Sequence, residues 1–176
     1  MLIRKARPED WETCASLDHS IATDRAWRMQ EQEQEGSITV AFQSICLPRP
    51  VKVRYPRQDK ELTAGWANCD LFLINRQDRA VLGYVTARAL PGNGLAWVQD
   101  LVVDPAWRRR GIGSKLLSEA TAWASRKHLH RLVVEVQTSN FPGISFCRSQ
   151  GLTFCGYHDW YWRSQDIALL FGQTVR

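Results

Sequence analysis

Residues 101–117, LVVDPAWRRRGIGSKLL, decide how this chain is read. Leu101-Val102-Val103 end a strand, Asp104-Pro105 break it, and Gly111 and Gly113 bracket one residue where a helical pattern begins. Ile112, Leu116, Leu117, Ala120, Trp123 and Ala124 fall on one face at helical spacing, which predicts a helix over 112–126. Glycine at such a junction lets backbone amides approach an anion closely, and the helix start adds about half a positive charge. Arg108, Arg109 and Arg110 contribute three guanidiniums, so the loop suits a pyrophosphate. Two nucleotide-binding motifs fail here. Gly113 is followed by Ser114 where a P-loop needs Lys, and Leu116 stands where a dinucleotide fingerprint needs its third glycine.

On the N-terminal side of this stretch, CDLFLIN at 69–75, the polar turn RQDR and AVLGYVTARAL at 80–90 predict a β-hairpin. PGNG at 91–94 leads into LAWVQDLVV at 95–103, which completes an antiparallel meander. Nearer the N-terminus, LIRKA at 2–6 predicts a first strand, and Pro8 with Glu9, Asp10 and Glu12 opens a helix to about residue 19. A second helix is expected over 24–35, with EQEQE as its solvated face. Residues 37–55 are β-rich but interrupted by Pro48 and Pro50, which predicts an edge strand or two. On the C-terminal side, RLVVEVQ at 131–137 reads as a strand, 142–150 as a helix, and 152–157 and 159–171 as strands. The fold class is therefore α/β (α+β): a mixed sheet, antiparallel first and parallel where the 112–126 helix crosses over.

The 176 residues are 44% hydrophobic and 23% charged, which excludes wholesale disorder and fits a single domain over 1–176. No apolar run approaches the ~18 residues of a membrane span, and MLIRKARPED has no secretory h-region, so a cytoplasmic location is expected. Five cysteines without C-x-x-C spacing argue for reduced, semi-buried thiols and against a zinc knuckle; no metal is expected. The net charge of +5 is uneven: residues 1–35 hold eight acids and five bases, and the rest hold eighteen bases and ten acids. A basic body implies an anionic ligand. The Arg stretches lack the aromatic-interleaved strands of RNA-binding sheets, so no specific nucleic acid is expected.

The run Arg108-Arg109-Arg110-Gly111-Ile112-Gly113 matches the [QR]-x-x-G-x-[GA] motif of the GNAT superfamily of N-acetyltransferases. VEVQTSNFPGISFCRSQGL at 134–152 resembles that superfamily's second signature, strand–Asn–helix. Together the two resemblances cover residues 95–157; residues 2–90 carry no diagnostic motif. Within the superfamily the sequence is most similar to the streptothricin acetyltransferases, through the acidic element V-Q-D, the LVVEVQ strand and the tail DIALLF. The resemblance implies acetyl-CoA as co-substrate, held in a splay between two parallel strands. It places the main chain of Leu101, Val102 and Val103 on the acetyl and pantetheine arm. The amides of Arg109 to Ser114 (Arg109, Arg110, Gly111, Ile112, Gly113, Ser114), with Arg108 beside them, are placed on the pyrophosphate. Asn140 is placed on the pantetheine from the other strand, with Phe146 and Cys147 at the thiol end. A homodimer is common in the family.

Acyl transfer from a thioester to an amine requires removal of a proton from an ammonium of pKa about 10, a donor for the oxyanion, and a proton for the departing thiolate. Glu135, five residues before Asn140, is where many family members keep a glutamate that accepts the amine proton. Asp100 immediately precedes the acetyl-binding segment and either shares that role or binds a cationic acceptor. Each could instead be a strand acid paired with an arginine. The family's F-Y pair reads Phe146-Cys147 here, so the acid is open: the Cys147 thiol, Tyr157 and Tyr161 are candidates, and Cys147 could equally be an inert space-filler. Trp66, Trp160 and Trp162 are candidates for stacking on an acceptor. The acidic strand positions favour a small cationic amine, such as a streptothricin-like antibiotic, over a protein N-terminus. A non-catalytic acetyl-CoA-binding module is the reading from another class.

Overall fold

The computed structural model describes residues 1–57, 60–78 and 80–176. Seven strands form the main sheet: β1 (Leu2–Lys5), β4 (Leu71–Gln77), β5 (Ala80–Leu90), β6 (Leu95–Val103), β7 (Arg131–Gln137), β8 (Thr153–His158) and β9 (Ala168–Thr174), in the order β1-β4-β5-β6-β7-β9-β8. All neighbours are antiparallel except β6 and β7. The expected meander is present as β4-β5-β6. Arg79 of its predicted polar turn lies outside the described residues.

The connection from β6 to β7 runs through α3 (Ile112–Arg126), whose bounds match the periodicity. Its six striped side chains are all buried, the aliphatic Ile112, Leu116 and Leu117 each worth roughly 1.5–3 kcal/mol of burial. They pack on one face of the sheet with Leu132, Val134 and Val136 of β7 and with Ile144 and Cys147 of α4 (Phe141–Ser149). A second, smaller core on the opposite face joins Tyr84, Ile74 and Val102 to Cys14 of α1 (Trp11–Ser16) and to Leu62 and Trp66 of α2 (Lys60–Ala67).

β6 and β7 are paired only from Leu95–Arg131 to Val98–Val134. β6 then runs on to Val103 and β7 to Gln137 without facing each other's backbone, so the sheet opens at its centre. The opening coincides with a register shift on the other edge of β6: Thr86 pairs with Asp100 but Ala87 with Val98, leaving Gln99 as an extra residue. Such a bulge bends a strand and increases its twist, which turns β6 away from β7.

Several expectations are corrected. Residues 24–35 are not a helix: β2 (Ile21–Gln34) pairs with β3 (Ser37–Val53) in a separate two-stranded sheet. Glu, Gln, Arg and Met there favour a helix locally, but the run has no apolar stripe at helical spacing, and pairing with β3 overrides propensity. Pro48 and Pro50 fall where the register jumps from Thr23–Val51 to Arg25–Cys46, so their missing N–H groups interrupt no regular ladder. The first helix ends at Ser16, not near 19, and α2 has no counterpart in the sequence reading. The last strand starts at Ala168; residues 159–167 form an irregular loop with positive φ at Trp160 and Gln165. All five cysteines are free, but Cys46 and Cys155 are exposed rather than semi-buried. Among the described residues, no helix is long and apolar enough to cross a membrane.

Candidate functional site

The free end of β6 at Leu101, Val102 and Val103 borders a cavity of about 390 Å³ that continues to the start of α3 and across to Asn140, just past β7, and to Phe146 of α4. That volume lies within the range of small-molecule sites. A larger, more open depression of about 630 Å³ follows the outer face of α3 toward Arg176 and touches neither β6 nor β7. The smaller cavity is the one with chemistry around it.

Its anion-binding end follows from local geometry. Gly111 caps α3 with φ of +78°, a left-handed conformation that L side chains rarely adopt. The first bond of the helix runs from Lys115 N–H to the Gly111 carbonyl, so the N–H groups of Ile112, Gly113 and Ser114 have no partner within the helix. Gly113 serves space instead. A β-carbon there would meet the Phe146 ring at 3.4 Å and Val103 Cγ2 at 3.7 Å, an ordinary contact, while any longer side chain would enter the cavity.

The three arginines separate. Arg109 is exposed, lines the cavity and has φ of +63°. Arg110 sits with its guanidinium 4.7 Å from the Trp107 ring centroid and is not part of the lining. Arg108 lines the cavity but is committed elsewhere: Nε donates to the Val103 carbonyl (2.9 Å) and Nη2 to the Ser20 carbonyl (2.8 Å). Burial pushes its guanidinium below the ordinary value. Arg108 therefore ties the end of β6 to the segment before β2, a different task from the pyrophosphate contact expected of it. Asn140 also has a structural duty. Its Oδ1 accepts from Gly143 N–H at 2.8 Å and caps α4. A β-carbon at Gly143 would lie 2.7 Å from Asn140 Nδ2, so that glycine is required for the cap.

Asp100 of β6 and Glu135 of β7 lie buried where the two strands part, outside the lining of this cavity, and one cation joins them. Arg57, between β3 and α2, donates Nη1 to Asp100 Oδ1 (3.3 Å) and to the Gln99 carbonyl (2.8 Å), and Nη2 to Glu135 Oε1. Asp100 also accepts from Tyr55 (2.7 Å) and Thr86 (2.7 Å). Glu135 Oε2 accepts from Trp97 Nε1 (2.5 Å) and Tyr161 (2.6 Å), and the Glu135 side chain has no exposed surface. Burial would push the Arg57 guanidinium down; the Asp100 charge, with Tyr55 and Tyr161, leaves it above the ordinary value instead. Burial, then the Asp100 charge, raises the Tyr55 phenol well above its usual range, and burial also raises Tyr161. Each acid has the arginine partner that was the alternative to a catalytic role, and it is one arginine for both.

Cys147 does not reach the cavity. Its thiol is 1% exposed in the core among α3 and α4 side chains, and burial pushes it up to about 12. Helix geometry explains this: Phe146 and Cys147 are adjacent on α4 and cannot face the same way, so with Phe146 toward the cavity Cys147 turns inward. Tyr157 is on edge strand β8 against Phe42, outside the cavity lining. Trp66 packs in the second core, Trp162 is buried, and Trp160 is 65% exposed.

Sequence reasoning passed over Arg57, Tyr55 and His19. Tyr55 and His19 line the cavity with their rings 5.3 Å apart. The Leu17 carbonyl (2.7 Å) can only accept, so His19 Nδ1 carries a hydrogen and neutral Nε2 accepts from Tyr84 (2.9 Å). Burial lowers the His19 pKa. None of the three sits in a motif, because each reaches the site from an irregular segment rather than from a patterned element.

Comparison with known proteins agrees with the fold. The chain is 27% identical over 158 residues, 87% of its length and 82% of the relative's, to a streptothricin acetyltransferase of Streptomyces lavendulae. It is 35% identical over 54 residues, 31% of each chain, to streptothricin acetyltransferase A of Bacillus subtilis (strain 168). Its fold resembles the crystal structure of a nourseothricin acetyltransferase with a TM-score of 0.83 at 23% identity, covering 99% of this chain and 98% of that one. A Bacillus anthracis str. Ames protein described as a streptothricin acetyltransferase, solved with acetyl coenzyme A, gives a TM-score of 0.75 at 16% identity over 98% of each chain. The acetyltransferase (GNAT) family model matches residues 39–152, spanning the diverging strands, the start of α3 and Asn140, and the chain belongs to that family.

Proposed function

We propose that this acetyltransferase transfers the acetyl group of acetyl-CoA to a primary amine of a small cationic molecule of the streptothricin kind. The observation that carries the choice of acceptor is the buried pair Asp100 and Glu135 at the opening of the sheet, two carboxylates sharing one cation. A neutral acceptor would have nothing to gain there, whereas an ammonium is matched. The similarity to streptothricin acetyltransferases supports the same reading.

In this reading the unpartnered amides at the start of α3, with Arg109, hold the pyrophosphate, and the free edge of β6 at Leu101–Val103 aligns the pantetheine arm. An amide of β6 at Val102 or a neighbour donates to the oxyanion. Asp100 holds the acceptor's charge and Glu135 takes the amine proton as the C–N bond forms. The nitrogen gives its second proton to the sulfur as the C–S bond breaks. Glu135 passes its proton to solvent before the next turnover, so one ammonium and one thioester give one amide, one thiol and one released proton.

The test is thiol release from acetyl-CoA against a panel containing streptothricin, spermidine, neutral-backbone monoamines and peptides with free N-termini. Turnover with the polycationic amines, and kcat/KM at least about tenfold lower for the peptides, is expected. Preference for the peptides would replace the proposed acceptor class.

A further inference from the structure

The carboxylate assigned to take the amine proton is closed off in the free protein. Glu135 accepts from three donors and its side chain is fully covered, so no amine reaches it until one donor leaves. The donors are not held equally. Trp97 stands on β6 within the segment paired to β7, opposite Val133. Tyr161 is braced by the rings of His158 and Trp162 and by its N–H to the Asp166 carbonyl (3.2 Å). Arg57 lies among residues 54–57, which join no strand or helix, and its guanidinium is held by the two acids and the Gln99 carbonyl. It is also the one donor of the three that carries charge.

We infer that Arg57 is a built-in substitute for the acceptor's cation: its guanidinium fills the position between Asp100 and Glu135 that the acceptor's ammonium takes on binding, and the acceptor displaces it. This rests on the proposed role of Glu135. The exchange conserves what the site needs. Guanidinium and ammonium each bring one positive charge and several N–H donors, so the two buried carboxylates keep a counter-ion before and after. A neutral molecule entering the same place would strand two buried charges, which is strongly unfavourable. Arg57 is thus a specificity-determining residue: it keeps the carboxylates paired and covered until a cation arrives that can replace it. The Gln99 carbonyl, which Arg57 also holds at 2.8 Å, is released in the same step and faces the incoming donor.

The experiment needs no turnover, so it separates this inference from the proposed activity. Binding of methylguanidinium and of spermidine is measured by calorimetry, at fixed ionic strength, to the wild type, Arg57→Ala and Arg57→Ala/Glu135→Gln, with heptane-1,7-diol as the neutral control. Removing the internal competitor should lower the Kd of both cations by about tenfold or more in Arg57→Ala, leave the diol unaffected, and be reversed in the double variant. Equal cation affinity in wild type and Arg57→Ala, or a gain that survives Glu135→Gln, overturns the inference. Should Arg57→Ala fail to fold, the wild type answers by itself. Phenylglyoxal labelling of Arg57, mapped by mass spectrometry, should rise several-fold on adding spermidine, and unchanged or reduced labelling contradicts displacement. Absence of acetyl transfer in the amine panel, with these binding results intact, would count against the proposed reaction and not against the exchange.

Discussion

One guanidinium against two carboxylates sets the character of the site, and the residues around it divide into those that can react and those that pack. Cys147 belongs to the second group: a thiol held at about 12 in the core is a poor proton donor near neutral pH and is out of reach of the cavity. Cys147→Ala should keep kcat within about twofold while losing about 1–2 kcal/mol of stability, read by steady-state kinetics and urea unfolding. A hundredfold loss of kcat with the fold intact would return the thiol to the mechanism. His19 supplies a pH-dependent term of known sign. Its folded pKa is lowered by burial, so the unfolded chain takes up a proton that the folded chain resists. Stability should therefore decline as pH falls below about 6.5, the unfolded value, and level off below the folded one. In His19→Gln that decline should be shallower by up to one proton; equal slopes for the two proteins would show that His19 is not its source. At this scale the sequence was legible where a residue sits in a motif. Glu135 and Asp100 were found from their strands, but Arg57, Tyr55 and His19 become partners only through the fold.

Among the elements, those with strong periodicity were read to within a residue or two, α3 and β4 to β7 above all, because burial on a sheet face imposes the pattern directly. The errors fall where local propensity and tertiary pairing disagree. β2 is made of helix-favouring residues but is held extended by thirteen paired positions along β3, and the paired partner is invisible in the β2 sequence itself. The motif at α3 was legible for a different reason: its glycines answer to backbone geometry, at Gly111 through φ and at Gly113 through space. That difference yields a test of the element. Gly113→Glu sends a long anionic side chain into the cavity while leaving the helix start, so acetyl-CoA binding by calorimetry should disappear with the circular dichroism spectrum unchanged. Unaltered affinity would remove the start of α3 from the cofactor site.

For the whole molecule, the decisive feature is a sheet that is continuous except at its centre. A bulge at Gln99 turns β6 away from β7, the free end of β6 borders a cavity with room for a substrate arm, and Asp100 and Glu135 lie buried where the two strands part. The mixed sheet and the position of its parallel pair could be inferred from the sequence, since a helix between two strands of one sheet requires a crossover. The separate β2–β3 hairpin and the irregular segment carrying Arg57 could not, because neither is set by an apolar period. Everything in the proposed chemistry converges on Glu135 as the group that takes the amine proton. The most direct measurement is kcat against pH for the wild type and Glu135→Gln, using the acceptor that gives the fastest thiol release, with acetyl-CoA affinity as the control for folding. The account predicts unchanged acetyl-CoA binding, a kcat lower by about 10²–10⁴ and loss of the acidic limb of the profile. A Glu135→Gln enzyme with near-normal kcat and an intact acidic limb would contradict it, and a collapse in Asp100→Asn alone would move the proton to the other carboxylate.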